Sequence, residues 1–214
     1  MAHDLGVGIP EAFERKMKRM RRSIRLKKRR GKTKSIRRIK SDFMTSTSHL
    51  ISKKEIAEGT MAFAFNRPKG FAFKAGQHVE VVLLDPPETD EKGSSRDFSL
   101  VNAPSEKELV VATRMRNSAF KRVLGTAPAD FKVGIEGPYG SFTLHQDASR
   151  PAIFLVGGIG ITPFMSMIKD AMARKLSHRL FLFYSNRRPE DAAFLSELEE
   201  LALKNKNLIF VPVT

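Results

Sequence analysis

Ala152–Val156 is an unbroken apolar run that leads without a spacer into Gly157-Gly-Ile-Gly-Ile-Thr-Pro163, and this junction restricts the fold more than any other stretch of the chain. A short run of that kind predicts a buried parallel strand. The helix predicted behind it runs from about Pro163 to Leu176, with Phe164, Met167, Ile168 and Met172 as its apolar stripe. Pro163 suits a first helical turn, where its missing N–H would have had no partner. Further strands are predicted at Arg179–Tyr184 and Leu208–Val213, separated by a helix over Ala192–Leu203. Strands and helices alternating at this spacing predict a parallel sheet with right-handed crossovers.

A glycine turn between a first strand and its helix aims backbone N–H groups and the helix dipole at a pyrophosphate. Gly157, Gly158 and Gly160 are the candidates. Their spacing departs from G-x-G-x-x-G, so the position behind the strand carries the reading. At the end of the second strand, Tyr184-Ser-Asn-Arg-Arg188 falls where a nucleotide ribose sits. Ser185, Arg187 and Arg188 would pair with a 2′-phosphate, and the ribose carboxylate of NAD sites is missing, which favours NADPH over NADH. The competing reading is a helix-entry loop whose Pro189, Glu190 and Asp191 serve the next helix.

Residues 48–146 have the marks of an antiparallel barrel. Short apolar runs recur at Thr60–Phe65, His78–Leu84, Phe98–Val101, Leu109–Thr113 and Val133–Glu136. Pro68-Lys-Gly70, Lys74-Ala-Gly76, Asp85-Pro-Pro87 and Glu91-Lys-Gly93 supply turns between them. A helix is predicted at Ser118–Leu124, capped by Ser118, with Phe120, Val123 and Leu124 on its apolar face.

Three clusters in this region suit a ligand. In Arg96-Asp-Phe-Ser-Leu100 the Arg can make charge-assisted hydrogen bonds to phosphate, and Phe98 and Leu100 share one strand face. The same tetrad also reads as a surface Arg beside a buried Phe. Arg114-Met-Arg-Asn-Ser118 runs into the short helix, whose N-terminal N–H groups, with a capping hydroxyl and two Arg, form an anion site. Ordinary capping accounts for Ser118 equally well. Glu136-Gly-Pro-Tyr-Gly-Ser-Phe142 reads as a tight turn in which Gly137 and Gly140 let the backbone approach a bound group.

Charge is unevenly placed. Residues 1–43 hold 16 Lys/Arg against 4 Asp/Glu, whereas the remaining residues hold 22 against 19. The basic segment reads as a solvated, disordered extension, or as a short amphipathic helix for an anionic membrane or nucleic acid. Translation starting at Met44 is a third reading. No apolar run reaches the ~18 residues of a membrane span, and no signal-peptide pattern opens the chain. A cytoplasmic address is the default expectation. The chain has no Cys, which removes thiolate metal sites, Cys-ligated clusters and a catalytic thiol. Its five His are scattered, and neither H-E-x-x-H nor a carboxylate pair at catalytic spacing occurs, so no metal site is expected.

Taken in order, Arg96-Asp-Phe-Ser99, Glu136-Gly-Pro-Tyr-Gly-Ser141 and Gly157-Gly-Ile-Gly-Ile-Thr-Pro163 resemble the ferredoxin–NADP⁺ reductase superfamily over about residues 48–214. The resemblance implies a flavin-binding antiparallel β-barrel (44–148) followed by a partial parallel-sheet NAD(P)-binding domain (149–214), after the basic extension 1–43. It implies FAD, with FMN second, and NADPH or NADH. Arg96 would meet the flavin phosphate, Phe98 would pack on the isoalloxazine, and Ser99 would lie near its N5. Arg114–Ser118 would be a second phosphate element, and Gly157–Thr162 would take the dinucleotide pyrophosphate with the nicotinamide near Thr162. Ser99 and Thr162 are thus the implied catalytic pair. The implied activity is hydride transfer from NAD(P)H to flavin and single-electron delivery to a separate redox acceptor. Two departures stand out: Phe98 replaces the commoner Tyr, and the chain stops at Thr214 without the family's Cys-Gly-Pro motif. The alternative is a non-catalytic flavin-binding fragment or subunit that needs a C-terminal partner chain.

Overall fold

The computed structural model describes residues 45–213; the basic segment and the Met44 start lie outside them. Six strands form the first lobe: β1 (Ser46–Ala57), β2 (Thr60–Asn66), β3 (His78–Leu83), β4 (Ser95–Ser99), β5 (Glu108–Arg114) and β6 (Lys132–Tyr139). Their order is β4-β3-β6-β1-β2-β5, antiparallel at every pairing. The sheet curls into a barrel-like form that does not fully close. Its two edges meet through the bridge Leu100↔Val111 and the Val101 N–H to Val110 O bond of 2.8 Å.

Alternation explains the inward faces. Val79, Val81 and Leu83 of β3 are buried with Phe63, Phe65, Val111, Val133 and Ile135, and intervening residues are more exposed. α1 (Ala119–Thr126) plugs the barrel with Phe120, Val123 and Leu124. Ser118 caps it by accepting from Lys121 N–H at 3.4 Å.

In the second lobe β7 (Ala152–Gly157) enters a single 3₁₀ turn at Gly158–Ile161 and then α2 (Thr162–Ala173). β8 (Leu180–Ser185), α3 (Leu195–Lys204) and β9 (Leu208–Val213) follow, and the strands pair in parallel in the order β7-β8-β9. Ile168 of α2 and Leu198 of α3 share one core cluster with Phe154, Val156, Leu182 and Tyr184. Barrel residues Ala75, Val101 and Ala112 belong to that cluster, so one apolar interface joins the lobes.

Three local expectations need correction. β7 is not buried on both faces: Phe154 and Val156 point into the core, but Ile153 and Leu155 are 63% and 76% exposed. Two successive crossovers of one hand put both helices on the same side, so no described helix covers the other face. α3 begins at Leu195 rather than Ala192, because Pro189–Asp191 forms a 3₁₀ turn and Phe194 has a φ of +63°. Glu136–Tyr139 is not a turn but the end of β6, paired with His78 and Glu80 of β3 through a register shift.

Candidate functional site

β4 brings Arg96 beside the N-terminus of α1. Its guanidinium lies 5.2 Å from the Phe120 ring centroid and donates to the carbonyls of Lys92, Gly93 and Ser95. It also donates to Asp90 Oδ1 at 3.1 Å, while Asp90 Oδ2 accepts the Ala119 N–H at 3.0 Å. One carboxylate therefore takes both the helix N-terminal donor and the arginine, which is the chemistry a phosphate oxygen would use. Lys121 adds a second cation and donates to Arg114 O at 2.6 Å. Burial lowers the Lys121 ammonium pKa, and the nearby Arg116 and Arg96 charges lower it further. The donor set suits an anion, and the anion it holds here is the Asp90 carboxylate.

Phe98 lies on the inward face of β4. It is 8% exposed, and its ring lies 5.8 Å from that of Phe120 in the barrel core. Leu100 and Phe98 share the inward face, so burial claims most of the aromatic surface. Ser99 is half-buried at the end of β4, opposite His78. His78 also pairs with Tyr139, which sets Gly137 and Gly140 across β3 from Ser99. Close approach at these glycines is used by the protein itself: a Cβ on Gly137 would lie 3.3 Å from His78 O, and one on Gly140 would lie 3.0 Å from His78 Nδ1.

The C-terminal edge of the parallel sheet aligns Gly157 with Ser185, which is exposed. Gly158 has a φ of +51°, a conformation that disfavours any residue with a Cβ. A Cβ on Gly158 or Gly160 would meet no protein atom within 4 Å. Neither the 3₁₀ turn nor α2 has a side-chain cap at its N-terminus. Open space beside uncapped N–H groups fits a pyrophosphate. Thr162 is buried at the first position of α2 and donates to Ile159 O at 3.3 Å. The glycine turn packs against β5, the strand that ends in Arg114. Ser166 Oγ, fully buried, fastens α2 to the barrel by donating to Asn102 O at 2.7 Å.

Arg187 is exposed, but Arg188, expected to face a 2′-phosphate, is bound by Glu58 and Asp191. Arg114 reaches Asp191 as well, at 3.7 Å. Glu58 and Asp90 were invisible to sequence reasoning. Asp90 is 29 residues from Ala119 and Glu58 is 130 from Arg188, and no local pattern marks either acid. A cleft of about 640 Å³ lies between Phe73–Ala75, 143–146 and the later half of α2, but none of the expected site residues lines it. Among the described residues no group of His, Asp and Glu could hold a metal ion, and no helix is long and apolar enough to cross a membrane.

Comparison with known proteins places the chain among oxidoreductases. Residues 154–214 match the oxidoreductase NAD-binding domain family. The reductase subunit of phthalate 4,5-dioxygenase from Pseudomonas putida is 35% identical over 156 residues, covering 70% of this chain and 45% of the relative. A cytochrome P450 reductase of Amycolatopsis superimposes with a TM-score of 0.66 at 26% identity, covering 78% of this chain and 50% of that one. Ferredoxin–NADP⁺ reductase from Plasmodium falciparum gives a TM-score of 0.70 at 16% identity, with coverages of 81% and 72%. The chain thus spans less than half of the dioxygenase reductase subunit and half of the P450 reductase.

Proposed function

From a ferredoxin–NADP⁺ reductase-like chain whose residues 154–214 form an oxidoreductase NAD-binding domain, we propose the flavin- and dinucleotide-binding part of an NAD(P)H-dependent reductase that serves a separate redox acceptor. The observation that carries this reading is the packing of the Gly158–Ile161 turn against β5, whose end leads through Arg114 to the anion cradle of α1. Two anion sites, one on each lobe, thereby border one junction.

Bound FAD would supply hydride acceptance and onward one-electron delivery, chemistry that no side chain can provide. Arg96, with the Ala119 N–H, holds the flavin phosphate, and Lys121 adds charge beside it. Gly157, Gly158 and Gly160 admit the dinucleotide pyrophosphate to the uncapped N–H groups of the 3₁₀ turn that leads into α2. Ser99 and Thr162 orient the reacting rings from opposite lobes. Arg187 and Ser185 flank the adenosine ribose. A redox protein of the oxygenase or ferredoxin type is the acceptor, by analogy with the reductase subunits it resembles.

The uncovered sheet face favours a second reading. Ile153, Leu155, Phe183 and Ile209 form an apolar surface of the sort that soluble proteins bury. On this reading the chain binds flavin and needs a further segment or partner chain over β7–β9 before dinucleotide chemistry proceeds.

An absorbance spectrum of the purified chain, followed by anaerobic addition of NADPH and then NADH, tests both. A protein-bound flavin band that bleaches supports the reductase. A band that persists with dinucleotide but bleaches on photoreduction supports the second reading, and flavin-free protein that takes up no added FAD or FMN overturns both.

A further inference from the structure

Arg188 is held by two carboxylates from different lobes. Its Nη2 donates to Glu58 Oε2 at 2.7 Å and to Asp191 Oδ1 at 3.1 Å, and its Nε donates to Asp191 Oδ2 at 3.3 Å. Glu58 sits in the β1–β2 turn of the barrel, and its N–H donates to Glu190 O at 2.9 Å. Main chain and charge together therefore fix the loop behind β8 to the barrel. Asp191 is shared with Arg114 at 3.7 Å, so these two carboxylates and two guanidiniums carry no net charge between them, with Arg187 a further cation near Asp191.

In an open parallel sheet, ligands lie beyond the carboxyl ends of the strands, and the adenosine ribose falls near the end of the second. Here that end is Ser185, and Arg187 and Arg188 follow it. A 2′-phosphate needs an uncompensated cation at this place. Resting on the reading that this lobe binds a nicotinamide dinucleotide, we propose that Glu58 is a coenzyme-specificity residue: with Asp191 it holds Arg188 and cancels the charge that side chain would offer a 2′-phosphate, so Arg188 gives NADPH no advantage over NADH and only Arg187 is left to favour it.

Arg188 is 53% exposed and Glu58 62%, and ion pairs at such positions contribute little to stability because water screens them. Their effect on an approaching anion is larger in proportion. A phosphate must either draw Arg188 away from two carboxylates or sit beside them. Glutamine at position 58 keeps a hydrogen-bond acceptor but removes one negative charge, leaving the group at +1. A purely structural clasp would behave differently, since loosening it changes the binding of phosphorylated and unphosphorylated ribose alike.

The test is calorimetric titration of the full chain with AMP and with adenosine 2′,5′-bisphosphate, for the unaltered protein, Glu58→Gln and Glu58→Gln/Arg188→Ala. The expected result is AMP affinity unchanged by Glu58→Gln, with bisphosphate affinity raised about fivefold at low ionic strength, as befits one unit charge removed near a dianion. The gain should vanish in the double variant and shrink with added salt. An unchanged ratio of the two affinities, or an equal change in both, overturns the specificity role while AMP binding leaves the dinucleotide reading standing. Absence of binding by both probes overturns that reading and the specificity role with it.

Discussion

Asp90 and Arg96 meet at 3.1 Å, and the second oxygen of the same carboxylate accepts the N-terminal N–H of α1, so an aspartate occupies the anion cradle of the barrel. A phosphate entering this cradle must displace Asp90 or share its donors. Asp90→Asn should therefore tighten FAD or FMN binding, by roughly tenfold if one charge-assisted bond ceases to compete. Arg96→Ala should weaken it by about tenfold to a hundredfold on the same scale. Flavin fluorescence titration measures both, and weaker binding by Asp90→Asn would remove the competition argument.

The same carboxylate sets a pH dependence. Burial tends to raise its pKa, but the Lys92 and Ala119 N–H bonds and Arg96 lower it more, leaving it below the ordinary carboxylate range. A lowered folded-state pKa means that its stabilising contribution is complete above the unfolded value and is lost as pH falls through the folded value. Asp90→Asn should accordingly lower the urea midpoint at pH 7 and have a smaller effect near pH 3. Equal effects at both pH values would contradict the ion pair.

Gly160 separates binding from folding. A Cβ there meets no protein atom, so Gly160→Ala should leave Tm within about 2 °C of the parent, the scale of a surface change. If the open space is for a pyrophosphate, the methyl group should reduce dinucleotide affinity about tenfold or more. Unchanged affinity would place the dinucleotide elsewhere.

Gly76 makes the opposite prediction. Its φ is +95°, and a Cβ would fall 2.1 Å from Phe142 O and 2.4 Å from Met167 Cε. Backbone strain and overpacking each cost about 1–3 kcal/mol, so Gly76→Ala should destabilise by roughly 2–6 kcal/mol. Chemical denaturation checks this, and a loss below 1 kcal/mol would mean that the loop yields freely.

Ser166→Ala should cost about 1–3 kcal/mol, because Asn102 O loses its partner within the interface between the lobes. The same change should raise KM for dinucleotide if α2 is set on the barrel through this bond. A change in stability with no change in affinity would confine Ser166 to a structural role.

Local chemistry was enough to read much of this protein from its sequence. The apolar run before Gly157, Pro163 in the first turn of α2 and the cap at Ser118 each act within a few residues, so β7, α2 and α1 could be located before any tertiary contact was known. Periodicity likewise separated the barrel strands from the parallel unit. Tertiary structure decided what those elements leave for a ligand. Burial absorbed Phe98, strand pairing turned Glu136–Tyr139 into the end of β6, and both crossovers fell on one face and left Leu155 exposed. It also gave Arg96 to Asp90 and Arg188 to Glu58. The physical reason is range: hydrogen-bonded turns and helix caps are fixed by neighbours in sequence, whereas charge pairing and burial depend on which distant segments folding brings within a few ångströms.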